Sequence, residues 1–284
     1  MMPPVSAEQA QLIRTLLRQV GQQAKRMATQ PFDVSAKGPE DFVTSVDRAL
    51  DRQLSTQFRT WFPDDGLITE ENAQSVQAFR QSHMRLWLID PIDGTEDFMH
   101  GRPNYAVMVG LLQNNQPTAG WVYSPARDQL YWGGPNWGLF QTSGPKPVQP
   151  LLAQPPPPPS PDFCPIMIGE RDRKNYGTVL KRQIPAAQFQ GLGSFGLKVM
   201  EVIQGRAGLY LYLNGRVKLW DTTGPLALAR AAGLVCCDLE GKALQFTADQ
   251  LNLDTLAHQQ AILVAWPHYF EALQQPIQAA VSAA

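Results

Sequence analysis

Residues 87–98 read Trp-Leu-Ile-Asp-Pro-Ile-Asp-Gly-Thr-Glu-Asp-Phe, a short apolar strand that runs straight into two aspartates and then a glycine. Proline fixes its own φ and brings no N–H, so Pro91 stiffens the link between Asp90 and Asp93. Gly94 lets backbone N–H groups come close to an anion. Two carboxylates held this close repel, by about 4 kcal/mol at ~4 Å and an effective dielectric of 20. A hard divalent cation relieves that repulsion, and Mg²⁺ takes oxygen ligands while sharing them with a substrate phosphate. A strand end of this kind belongs to an α/β or α+β protein.

The rest of the chain can support such a site. It has 284 residues, 44% hydrophobic and 17% charged, which is ample for a buried core. Net charge is −1, from 24 basic and 25 acidic residues. Without a clustered positive face, a nucleic-acid polymer is excluded as a partner. The first residues lack an apolar signal core, and no run reaches the ~20 apolar residues of a membrane helix. Cys164, Cys236 and Cys237 form neither an even framework nor a Cys-x-x-Cys pair. Adjacent Cys236 and Cys237 read as buried strand residues, and a cytoplasmic location is expected.

Ala10, Ile13, Leu17, Val20, Ala24 and Met27 recur at helical spacing, and Val46, Leu50 and Leu54 place a second helix over residues 44–58. Residues 86–89 read as a strand and residues 105–140 as a β-meander turning at Asn114-Asn115 and again at residues 125–128. Composition then changes: residues 145–161 contain five consecutive prolines, a polyproline II segment. Three parts are expected. Residues 1–145 form an α+β lobe with an antiparallel sheet and most of the acidic site, residues 146–162 a Pro-rich connector, and residues 163–284 an α/β lobe. In the last, strands are expected at 166–169, 208–213, 234–238 and 261–265, and helices at 176–183, 197–204, 222–232 and after Pro267.

Two more acidic elements stand out. Asp221 precedes an apolar helical face of Leu226, Ala229 and Ala232, with Gly233 suited to the C′ position; taken alone it reads as an N-cap. Glu70 and Glu71 follow the strand-like Leu67-Ile-Thr and alone read as surface charges. Asp90 and Asp93 alone could serve as turn residues.

Together and in this order, these blocks resemble the inositol monophosphatase superfamily of metal-dependent phosphoesterases. Residues 87–98 resemble its first signature and residues 220–233 its second, while Glu70-Glu71 and residues 37–47 (Lys-Gly-Pro-Glu-Asp-Phe-Val-Thr-Ser-Val-Asp) resemble two further blocks. The likeness runs from about residue 10 to 270. It implies an αβαβα sandwich with the site between the lobes, and hydrolysis of a small-molecule phosphate monoester with two or three Mg²⁺ ions. It also implies that Glu70, Asp90, Asp93, Asp221 and the Ile92 carbonyl ligate metal, that Asp47 and Thr95 orient the attacking water, and that the Gly94 and Thr95 N–H groups hold phosphate. Two metals can clamp the attacking and leaving oxygens, so no side-chain nucleophile is required. A covalent aspartyl-phosphate route is disfavoured, because the position two residues before Asp93 is Pro91. The resemblance further implies sensitivity to Li⁺ and homodimerisation.

For the substrate, residues 193–200 (Gly-Ser-Phe-Gly-Leu-Lys-Val-Met), 205–210, 220–222 and 116–126 resemble the 3′(2′),5′-bisphosphate nucleotidase branch, which acts on adenosine 3′,5′-bisphosphate. Ser194 and Lys198 in the first of these are expected substrate contacts, Lys198 meeting a second phosphate or else standing as a solvated helix lysine. Inositol-specific relatives carry a glutamate seven residues before the second-signature aspartate, where this chain has Asn214. Residues 37–47 and His100-Gly101 look more like inositol monophosphatases, and acidic Glu96 and Asp97 do not favour a doubly charged nucleotide. Inositol or sugar monophosphatase is therefore the alternative. A non-catalytic scaffold docking through the polyproline segment is the remote one.

Overall fold

The computed structural model describes residues 3–38, 41–81 and 83–284, with only the backbone of Asp41. Pro39 and Glu40, inside the block at residues 37–47, lie outside the described residues. The chain forms two compact units, the first made of Met1–Leu151, Gly193–Leu197 and Leu219–Leu228 and the second of the remainder.

In the first unit, α1 (Ala7–Met27) starts with a capping box: the Ser6 hydroxyl accepts from the Gln9 N–H and the Gln9 side chain accepts from the Ser6 N–H. Its expected apolar face is the buried one, with Met27 packed at the margin. A hairpin, β1 (Val34–Gly38) and β2 (Asp41–Thr44), leads into α2 (Ser45–Trp61). A seven-stranded sheet follows: β3 (Gly66–Thr69), β4 (Arg85–Asp93), β5 (Ala106–Gln113), β6 (Gln116–Ser124), β7 (Gln129–Gly134), β8 (Gly138–Ser143) and β9 (Gln149–Pro150), in that spatial order. The pair β3 and β4 is parallel and the others antiparallel. The meander is the one the turn residues predict: Asn114 and Asn115 take φ +49° and +56°. Helices α1 and α2 cover the sheet over a core that includes Phe58, Phe62, Trp87 and Trp121; the Trp87 ring centroid lies 4.5 Å from Phe62 and 5.9 Å from Trp121.

Strand β4 is longer than the expected 86–89. It continues through Asp90 to Asp93, with its register shifted between them. Pro91 has no N–H to give a ladder, and the irregularity sits where that donor is missing. Gly94 then adopts φ +94° as the N-cap of the short α3 (Thr95–Met99).

In the second unit, β10 (Cys164–Ile168), β11 (Ala187–Gln190), β12 (Leu209–Tyr212), β13 (Val235–Cys237) and β14 (Ile262–Ala265) form a mixed sheet in the order β11-β10-β12-β14-β13. The helices are α4 (Glu170–Gln183), α5 (Phe195–Ile203), α6 (Leu219–Ala231) and α7 (Pro267–Ser282), with Phe195–Leu197 of α5 and Leu219–Leu228 of α6 belonging to the first unit. Strand β11 has no counterpart among the expected strands, and α4 starts six residues before the expected helix. Helix α6 starts at Leu219, so Asp221 lies inside its first turn rather than at the N-cap. Gly233 takes φ +81° just past the helix, as expected of C′. Cys236 and Cys237 are buried and unbridged on β13. Among the described residues, no helix is long and apolar enough to cross a membrane.

Candidate active site

Two glycines explain how distant acids meet. Gly110 on β5 and Gly120 on β6 are paired in register, and a Cβ on Gly120 would lie 2.0 Å from the Gly224 carbonyl oxygen of α6. A Cβ on Gly110 would lie 2.5 Å from the Gly224 nitrogen. Without side chains there, the first turns of α6 lie directly on the sheet, and Asp221 comes to the end of β4. Asp90, Asp93 and Asp221 each offer an oxygen, and all three oxygens lie within 4.8 Å of one another.

Each acid is held by its own local structure. The Asp90 Oδ1 accepts the Ile92 N–H at 2.9 Å, closing a turn over Pro91. Asp93 accepts the N–H groups of Phe195 (3.0 Å) and Gly196 (2.8 Å) and a short bond from the Ser194 hydroxyl. The Ser194 hydroxyl in turn accepts the Leu197 N–H at 3.0 Å, so it caps α5 and orients Asp93 at once. The Thr95 hydroxyl donates to the Ile92 carbonyl at 3.0 Å and lies 3.3 Å from Asp47 Oδ1. Asp47 is buried as the acidic member of a capping box with Thr44, which explains why the sequence starts a helix there.

Glu70 falls outside the set of three oxygens, but it lies close enough to Asp90 to oppose its ionisation. The Lys37 ammonium bridges Glu70 at 3.0 Å and Glu71 at 2.7 Å. The electrostatics are those of crowded acids. Burial, then Glu70, Asp93 and Asp221, push Asp90 well above the carboxylate range. Burial, then Glu70, push Glu71 up to about 7 against the pull of Lys37. Burial works against the Lys37 charge, yet Glu70 and Glu71 outweigh it and raise its ammonium. Burial also raises Asp47, opposed by its bonds from Thr44.

This arrangement fits a metal. Every donor is an oxygen, as Mg²⁺ requires, and the three aspartates are clustered closely enough to hold such a cation.

Two expected contacts are engaged elsewhere. Ser194 is buried and committed to Asp93 and Leu197. Lys198, in the second unit, is buried rather than solvated; its ammonium donates to the Leu192 carbonyl at 2.8 Å and lies 5.3 Å from the Tyr210 ring centroid. Sequence reasoning missed the role of Asp97, which accepts from Arg102 at 2.9 Å and from the Gly193 N–H at 3.1 Å, tying the turn before Ser194 to α3. It also missed the bridge from Lys37. No local pattern marks either, because the partners lie 96 and 33 residues apart.

The model of the inositol monophosphatase family matches residues 6–280. The chain belongs to that family. This inositol monophosphatase family member is similar to the 3′(2′),5′-bisphosphate nucleotidase CysQ of Escherichia coli K12, at 31% identity over 223 residues, 77% of this chain and 85% of that protein. It is also similar to inositol monophosphatase 1 of Solanum lycopersicum, at 28% over 251 residues, 85% and 84% of the two chains. Among solved structures it matches an IMPase of Thermotoga maritima with TM-score 0.75 at 22% identity, covering 97% of this chain and 99% of that one. An IMPase/NADP phosphatase complexed with Mg²⁺ and phosphate matches with TM-score 0.76 at 20% identity, covering 96% and 95%. These structures show the fold, that of the inositol monophosphatases, as the signature blocks led us to expect. The protein is a phosphatase of a Mg²⁺-dependent family, and its acidic cluster is of the kind such a family needs.

Proposed function

We propose that this phosphatase is a 3′(2′),5′-bisphosphate nucleotidase that removes the 3′-phosphate of adenosine 3′,5′-bisphosphate by attack of water. The observation that carries the hydrolytic reading is the convergence of Asp90, Asp93 and Asp221 within 4.8 Å. With Glu70 and the Ile92 carbonyl they would hold two or three Mg²⁺ ions. Bound there, Mg²⁺ supplies charge neutralisation at the phosphoryl oxygens and an acidified water. The protein's own contribution is placement. Thr95 sits between the Ile92 carbonyl and Asp47, so its hydroxyl orients the water and passes a proton toward the Asp47 carboxylate. Burial raises Asp47, which makes it a better base. The Gly94 and Thr95 N–H groups, at the turn that Gly94 alone can make, receive the phosphate. Ser194 keeps Asp93 aimed.

For the substrate, the likeness to CysQ supports the nucleotide reading, as does Asn214 in place of the inositol-binding glutamate. The charge of Asp97 is already paired with Arg102, which leaves Glu96 as the acid that disfavours a doubly charged nucleotide. An inositol or sugar monophosphatase is the second reading, favoured by the similarity to the tomato enzyme across 85% of this chain. The test is a set of kcat/KM values for adenosine 3′,5′-bisphosphate, inositol 1-phosphate and fructose 1,6-bisphosphate with Mg²⁺. The nucleotide should lead, EDTA should abolish phosphate release and millimolar Li⁺ should inhibit it. A lead for inositol 1-phosphate of about tenfold, or 1.4 kcal/mol, would overturn the substrate assignment.

A further inference from the structure

Residues 151–162 read Leu-Leu-Ala-Gln-Pro-Pro-Pro-Pro-Pro-Ser-Pro-Asp. Their exposure repeats every three residues. Pro156 is buried and Ala153 and Pro159 half-buried, whereas Leu152, Pro155, Pro158 and Pro161 are exposed, as are Gln154, Pro157 and Ser160. Three residues per turn is the repeat of a polyproline II helix. The sequence enforces it, since each proline ring fixes φ and each residue ahead of a proline is held extended.

One side of this helix is fastened down. The Gln154 N–H donates to the Ile203 carbonyl at 3.1 Å, and the Tyr269 hydroxyl donates to the Pro157 carbonyl at 3.1 Å. Gly205, at φ +71°, permits the approach, because a Cβ there would lie 2.3 Å from the Gln154 carbonyl oxygen. A strap that only braced the fold would turn its apolar residues inward. Here the inward row is already filled by Ala153, Pro156 and Pro159, and a second, wholly apolar row remains in water, with Leu152 72% exposed.

We propose that the row Leu152, Pro155 and Pro158 is a docking ridge for a partner protein with an aromatic-lined polyproline groove and a basic rim. Proline rings spaced one turn apart stack into the slots between aromatic side chains, and a helix that is already formed loses little entropy on binding. Charge selects the rim. No lysine or arginine occurs between Lys146 and Arg171, and the exposed Asp162, in the turn closed by the Ser160–Phe163 bridge, puts a negative charge just past the ridge. The ridge is independent of phosphate hydrolysis.

The test uses the full-length protein and two purified WW domains, one with lysine and arginine on its groove rim and one with those residues changed to glutamate. Each is titrated by fluorescence anisotropy. The basic-rimmed domain should bind saturably and more tightly than the acidic-rimmed one, and Asp162→Asn should narrow that preference. The double variant Pro155→Ser/Pro158→Ser should weaken binding by about tenfold or more, while Gln154→Ser on the neighbouring edge should stay within about twofold. Phosphate release by the double variant should match the parent, which verifies that it is folded. Failure of both domains to saturate would overturn the proposal. So would equal binding by the double variant, or a fall in its melting temperature with an unchanged titration.

Discussion

The fate of one carboxylate decides how well this site is made. Asp93 accepts two backbone N–H groups and one hydroxyl, so its position is over-determined before any ligand arrives. Such supporting bonds fix ligand geometry, and losing one typically costs 10–100-fold in metal affinity. Ser194→Ala removes the hydroxyl but keeps both N–H groups. We expect Mg²⁺ affinity, measured by calorimetry on the metal-free protein, to fall by about 10–100-fold. The same change removes a helix cap worth ~1 kcal/mol, so the melting temperature should also fall slightly. A lower melting temperature with unchanged Mg²⁺ affinity would reduce Ser194 to a cap.

At the level of elements, the approach of α6 to β5 and β6 is what carries Asp221 to Asp90 and Asp93. Gly120→Ala tests it directly. The added carbon would stand 2.0 Å from a backbone oxygen with no flexible side chain to yield, so the helix must move. Overpacking of this sort costs typically 1–3 kcal/mol, and here the displaced element bears a metal ligand. The expected result is a lowered melting temperature together with weakened Mg²⁺ binding; parental Mg²⁺ affinity would mean that Asp221 is placed by something else. This dependence on Gly120 is not visible in the chain order, although Asp221 itself is. Periodicity revealed α1 and α2 because their buried faces are set by residues three and four apart. The meander was legible because Asn114-Asn115 can turn at positive φ. Pro91 and two aspartates are poor strand residues, so the pattern stops the strand at Ile89, and pairing with β5 overrides that preference. The expected start of α6 falls late because Asp221-Thr-Thr looks like a cap. Strand β11 carries only Ala187 as a buried residue, too little pattern to see. The Lys37 bridge and the Asp97 contact to Gly193 join parts of the chain that only the fold brings together.

For the molecule as a whole, the acidic cluster is a local conflict that the rest of the fold sustains. Three aspartate oxygens lie within 4.8 Å of one another, with Glu70 against Asp90. At that separation or less and an effective dielectric of 20, each pair of full charges would repel by at least about 3.5 kcal/mol. The conflict is large compared with the 5–15 kcal/mol that holds a typical domain together. The same crowding that binds Mg²⁺ must therefore weaken the metal-free protein. Asp90→Asn isolates this effect. It keeps the Oδ1 acceptor used by the Ile92 N–H, its amide can donate to Glu70, and it spares the fold the cost of either charging or protonating a buried carboxyl among these acids. In EDTA near neutral pH, the variant should melt above the parent by roughly 2–6 °C, the shift of about 1–2 kcal/mol in a chain of this size. Adding Mg²⁺ should reverse the order. The parent gains RT ln(1 + [Mg²⁺]/Kd), about 2.7 kcal/mol at a hundredfold excess over Kd, while the variant, short of a ligand and a charge, gains much less. Parallel melting curves for the two proteins in both conditions would show that these acids neither repel one another nor share an ion.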